Sequence, residues 1–235
     1  MINIIDFIKN KQNSFSSSLS VASLEGYITE IDDFLRQYHI TICYDQNFDH
    51  FKPLIAKTNK IRHSGSLFDT DLFPFEHDTG IFLAAFNQNG DCIASTAAKN
   101  FQWQEGETLD SLFPTLPPFF IDPADNMSPD KVYFCNTFEN SHIITGNHVY
   151  CGATWVREDY RHLLLSMIIP RLIKRLAAYL WNHSVTWGIV GQSNFKNNFH
   201  LQYGLPNTFP IQTRFLHEGK NCILNDYIAW SDKID

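Results

Sequence analysis

The chain has 235 residues, 44% hydrophobic and 14% aromatic, which excludes a disordered polypeptide and suffices for a sizeable core. Its 18 Lys and Arg against 25 Asp and Glu give a formal net charge of −7, the wrong sign for a nucleic-acid binder that must neutralise phosphates. Apolar runs such as Leu163–Leu165 and Met167–Ile169 fall far short of the ~20 residues that span a bilayer, so no membrane partner is expected.

In chain order, Met1–Asn10 carries Asp6 and no basic stretch ahead of a long apolar core, so it does not read as a signal peptide; the expected setting is soluble and cytoplasmic. Residues 1–38 read as an N-terminal helical extension interrupted at Ser14–Ser20, with Ile4, Ile5 and Ile8, then Leu24, Ile28, Ile31, Phe34 and Leu35, at helical spacing. The extension could pack on the main domain, residues 39–235, or make a homodimer. His39–Tyr44 predicts a strand, and Phe48–Lys60 an amphipathic helix with Pro53 in its first turn. Gly80–Phe86 and Asp91–Ala98 predict two strands joined at Asn87–Gly90, where Asn-Gly between apolar runs signals a hairpin.

Residues Glu105–Pro129 hold five prolines and read as an irregular insert, followed by a strand at Lys131–Phe138. His148–Val156 alternates, which predicts that Val149, Cys151, Ala153 and Trp155 share one face. A helix pattern runs from Ile168 to Leu180, with the basic cluster Arg171, Lys174 and Arg175 read most simply as a solvated face and otherwise as a local basic patch for a phosphorylated cofactor. Val185–Val190 predicts a strand, Asn194–Tyr203 a helix stopped by Gly204, and Thr213–His217 with Cys222–Trp230 a closing pair of strands. The fold class is α+β, an α/β three-layer domain whose mixed, mostly antiparallel central sheet carries helices on both faces, with the parallel crossover at 148–190.

Five cysteines, Cys43, Cys92, Cys135, Cys151 and Cys222, stand singly with no Cys-x-x-Cys pair, and read as core thiols. Phosphate-loop, zinc-helix, nucleophile-elbow and dinucleotide-binding glycine motifs are all missing. The remaining feature is Trp155-Val156-Arg157-Glu158-Asp159-Tyr160-Arg161-His162-Leu163-Leu164-Leu165-Ser166, a strand end running into a helix. It resembles the GCN5-related N-acetyltransferase (GNAT) superfamily, in which a strand-ending Val precedes Arg/Gln-x-x-Gly-x-Gly/Ala at the start of a long helix. Arg161 matches the basic position, Leu164 replaces the glycine, and Ser166 is the small last residue. Val185–Val190, Asn194 and Phe199–Leu205 resemble the family's next strand, Asn and aromatic-x-x-x-Gly helix end.

The resemblance implies a GNAT-type acetyltransferase: acyl-CoA, most simply acetyl-CoA, as co-substrate, a small amine or amino group as acceptor, direct transfer, and no metal. It implies thioester contacts at Trp155 and Val156, pyrophosphate contacts at Arg161, His162, Leu163, Leu164, Leu165 and Ser166, and a cofactor contact at Asn194. Helix-start amides and the helix dipole favour such an anion. If the helix starts near Leu163, Pro170 kinks it; if Pro170 is its first residue, the pyrophosphate site is displaced. The family's acid, a Tyr four residues before the glycine, is His200 here, with Tyr203 adjacent to Gly204. Base candidates are Glu139, His142 and His148, with Glu158 and Asp159 better explained as helix-entry residues. His63, Asp69, Asp71, Glu76, His77 and Asp78 form an acidic, His-containing loop, read first as solvated, then as an acceptor contact, and last as a metal site. The alternatives are a GNAT-fold binding or regulatory protein without catalysis and an acyl-homoserine-lactone-synthase-like enzyme.

Overall fold

Runs of β-branched and aromatic residues, each fit for a half-buried pleated surface, build one nine-stranded sheet. The computed structural model describes residues 1–11, 19–56, 68, 79–109, 132–134, 143–217 and 220–232. The strands are β1 (Ile2–Asn3), β2 (Thr41–Asp45), β3 (Gly80–Phe86), β4 (Cys92–Gln102), β5 (Val132–Phe134), β6 (Asn147–Val156), β7 (Val185–Gly191), β8 (Asn207–His217) and β9 (Lys220–Asp232). Their order is β1-β2-β3-β4-β6-β7-β9-β8-β5. Every pairing is antiparallel except β6 with β7, the parallel step expected at 148–190.

The helices are α1 (Ile4–Lys11), α2 (Leu19–Gln37), α3 (Phe48–Ala56), α4 (Leu165–Trp181), α5 (Gln192–Lys196) and α6 (Phe199–Gln202). On one face of the sheet, Leu24, Ile28 and Leu35 of α2 and Leu172, Ile173 and Leu176 of α4 share a buried cluster with Ile42, Leu83 and Val149. On the other face, Phe48 and Phe51 of α3 pack with Phe68, Phe82, Tyr150 and Trp187. Helices therefore cover both faces, as expected, and α2 belongs to the main core. Among the described residues no helix is long and apolar enough to cross a membrane.

Several sequence expectations are corrected. Ala153 does not share a face with Val149 and Cys151: a bulge between the Ser95↔Trp155 and Ala97↔Gly152 pairs, with Ala153 at φ 51°, turns it onto the opposite face. Pro53 is the sixth residue of α3, not part of its first turn, and α3 is described only to Ala56. The single helix expected at Asn194–Tyr203 is two short ones, broken where Asn198 takes φ 59°. The hairpin at Asn87 forms as expected, with Gly90 at φ 78° and the Asn87 side-chain oxygen accepting the Asn89 and Asp91 amides. The Ser-rich interruption, most of the proline-rich insert and the rest of the strand expected at Lys131–Phe138 lie outside the described residues.

Candidate active site

β6 and β7 are in register for three pairs only, His148↔Val185, Val149↔Thr186 and Tyr150↔Trp187. Beyond them the Ala153 bulge bends β6 away, while β7 stays paired with β9 as far as Gly191↔Asp226. The strands splay, and the opening holds a cavity of about 90 Å³. Its walls are Cys151–Thr154 of β6, Thr186, Gly188, Ile189 and Val190 of β7, Pro170 and Lys174 of α4, and Asn194, Tyr203 and Leu205. Gly188 sits at the fork because a Cβ there would stand 2.7 Å from the Cys151 carbonyl oxygen. On the same cavity-volume measure a water needs roughly 10–15 Å³, so the space is several waters large.

The chain leaves the fork through Arg157, whose amide donates to the Ile93 carbonyl at 2.8 Å. Its guanidinium clamps Asp159 through two bonds of 2.8 and 3.0 Å and lies 4.7 Å over the Tyr160 ring. A 3₁₀ turn over Glu158–Leu163 then brings Leu164 to φ 56°, and α4 starts at Leu165. Leu164 fills, in left-handed geometry, the position where the resembled motif has glycine, with its side chain 56% exposed. Of the first amides of α4, those of Met167 and Ile168 both donate to the Leu164 carbonyl, at 2.8 and 3.0 Å. Arg161 is exposed beside them, its Nε donating to the Val156 carbonyl at 3.4 Å. His162 is exposed, and Leu163 and Leu165 are buried beneath the turn. Ser166 donates to the Gln202 side chain at 3.5 Å. Pro170 is the sixth residue of α4, so the first alternative holds: the helix starts at Leu165, near Leu163, and Pro170 lies inside it and removes the amide that would bond the Ser166 carbonyl.

Of the expected site residues, Tyr203 and Asn194 reach the cavity. Burial pushes the Tyr203 phenol up to about 12, so it is a protonated hydrogen-bond donor near neutrality. His200 is buried and stacks on Phe195 at 4.8 Å, away from the cavity lining. His148 is fully buried among Phe101, Trp103 and Trp187 and accepts the Trp187 indole N–H at 2.8 Å. Burial, reinforced by His183, pushes it down to about 3, which keeps it neutral. Trp155 and Val156 are half-buried and buried at the end of β6. Glu158 and Asp159 are exposed in the 3₁₀ turn. Glu139, His142 and the loop from His63 to Asp78 lie outside the described residues, among which no group of His, Cys, Asp and Glu suits a metal ion.

The basic cluster of α4 is corrected: it is not a solvated face. Lys174 is 8% exposed and donates to the Gly204 carbonyl at 2.9 Å and to the Ser231 hydroxyl. Burial pushes its ammonium down to about 8. Arg171 donates to the Gln202 and Leu201 carbonyls at 2.8 and 3.2 Å. Arg175 lies 4.2 Å over the Tyr27 ring. Sequence reading missed Lys174 and Gly188 as site residues. The signal for Lys174 is its row, Pro170–Lys174–Ala178, buried on an already apolar helix. Burial pushes the Cys151 thiol up to about 12, so it is no nucleophile.

The mixed, mostly antiparallel sheet with its one parallel pair and helices on both faces makes the architecture α+β. No family model matches the chain, and no curated protein matches it. Solved structures similar to it include that of Arabidopsis thaliana NAA60 in complex with acetyl-CoA, at 13% identity and TM-score 0.49 over 82% of this chain and 98% of that one. An N-acetyltransferase from Staphylococcus aureus Mu50 is similar at 11% identity and TM-score 0.46, over 83% and 99%. An acetyltransferase of the GNAT family from Streptococcus pneumoniae is similar at 10% identity and TM-score 0.43, over 82% and 98%.

Proposed function

We propose that the protein is an acyl-CoA-dependent N-acyltransferase acting on a small amine or amino group by direct attack on the thioester. The observation that carries this reading is the cavity in the β6–β7 fork, walled by Pro170 and Lys174 of α4, the helix that follows β6 through a turn bearing the exposed Arg161. In this reading the amides from His162 to Ser166, with Arg161, grip the diphosphate of coenzyme A. The pantetheine enters the fork, and amides of Ala153–Val156 stabilise the developing oxyanion. The amine nitrogen bonds to the carbonyl carbon as the carbon–sulfur bond breaks. The departing thiolate takes the Tyr203 phenol proton, and the ammonium proton leaves to water or to Glu139.

Thermal unfolding with millimolar acetyl-CoA tests the donor site, since a ligand confined to the folded state stabilises it by about 2.7 kcal/mol at a hundredfold excess over Kd. A clear rise in melting temperature is expected; no rise removes the donor. Arg161→Ala is expected to weaken binding several-fold, and unchanged affinity takes that arginine out of the site. Leu164 at the motif's glycine position favours a second reading, a module that binds the donor without transferring its acyl group. Donor binding without turnover across a panel of amines decides for that second reading.

A further inference from the structure

Lys174 places a buried cation in the wall of the cavity, and the donor reading above does not account for it. The ammonium has three N–H directions. Two are taken by neutral acceptors, the Gly204 carbonyl and the Ser231 hydroxyl, and among the described residues no carboxylate is within ion-pair distance. The titratable groups acting on it are the Cys151 thiol across the cavity, Arg175 and Arg171 on its own helix, and Asp232 at the end of β9. A buried charge with only neutral partners is costly, and an anion completing its shell recovers part of that cost. The cavity is roomy enough for more than an acetyl methyl, on the comparison with water made above.

We propose that Lys174 recognises a carboxylate at the far end of the donor's acyl chain, so that the donor is the mono-thioester of a short dicarboxylic acid, of the malonyl or succinyl kind. The inference rests on the coenzyme A reading and narrows its donor. The transfer balances as before: the new carbon–nitrogen bond forms as the carbon–sulfur bond breaks, the thiolate is protonated, and the distal carboxylate stays bound to the ammonium throughout.

Titration calorimetry of the intact protein tests it with succinyl-CoA, acetyl-CoA and butyryl-CoA, the last having the same carbon count as succinyl with a methyl in place of the carboxylate. Succinyl-CoA is expected to bind about tenfold more tightly than butyryl-CoA, the scale of one charge-assisted hydrogen bond. Lys174→Met is expected to erase that preference, and Lys174→Arg to keep it. If Lys174→Met does not fold, the wild-type comparison and Lys174→Arg still decide. Wild-type affinity for butyryl-CoA or acetyl-CoA equal to that for succinyl-CoA overturns the inference and leaves the donor reading standing. Absence of binding by all three thioesters overturns both.

Discussion

Leu164 and Gly188 carry opposite local demands. Leu164 holds a left-handed backbone that costs a side-chain-bearing residue about 1–2 kcal/mol, yet its own side chain is largely in solvent. Leu164→Gly is therefore expected to raise stability by up to about 1 kcal/mol, read from denaturant midpoints, and to tighten coenzyme A binding; lower stability would show that the leucine packs usefully. Gly188 cannot take a Cβ without moving the Cys151 carbonyl, so Gly188→Ala is expected to cost about 1–3 kcal/mol and to weaken donor binding by narrowing the fork. His148 titrates at about 3 in the fold against about 6.5 when unfolded, so below pH 6.5 the unfolded chain holds the extra proton. Its contribution is whole above pH 6.5 and declines by about 1.4 kcal/mol per pH unit as pH falls toward 3. His148→Gln, which keeps an acceptor for Trp187, is expected to flatten that acid limb in unfolding curves. At this scale the sequence was least legible. Leu164 could be flagged against the family motif, but its sign of φ could not, and Gly188 looked like any strand glycine because its constraint comes from a neighbouring strand.

α4 ties the site together. Pro170 and Lys174 line the cavity, and Arg171 and Lys174 hold the carbonyls of Leu201, Gln202 and Gly204 on either side of Tyr203. Arg171→Ala is expected to cost about 1–2 kcal/mol and to speed amide exchange through Phe199–Gly204; unchanged exchange there would mean that the short helix holds itself. The helix itself was legible from Ile168, Ile169, Leu172, Ile173 and Leu176, but its cations were misread because i, i+4 spacing does not say whether a second layer covers them. β6 was legible as a strand, whereas its bulge was not. Alternation between Val149 and Trp155 continues in the sequence across a residue that the backbone flips.

In the whole molecule, α2 contributes Leu24, Ile28 and Leu35 to the same cluster as α4. Leu24→Ala is expected to destabilise the entire chain by about 2–5 kcal/mol in a single cooperative transition, and a separate early transition would instead mark an independent extension. The sheet's class and its one parallel step could be read from element order, because hairpins and strand–helix–strand crossovers leave local marks. The placement of β5 beside β8 could not, since that pairing joins residues about eighty positions apart and no short-range pattern records it.

Among the described residues, three ladder pairs between β6 and β7 join two slabs of the sheet, β1 to β4 with β6 on one side and β7, β9, β8 and β5 on the other. Also across the seam run α4, the Trp187–His148 and Ser184–Asn147 hydrogen bonds and the aromatic packing around Tyr150 and Trp187. Breathing motion should thus concentrate at this suture, and a guest wedged into the open end would act as a brace, slowing deuterium uptake in both slabs at once rather than only where it touches.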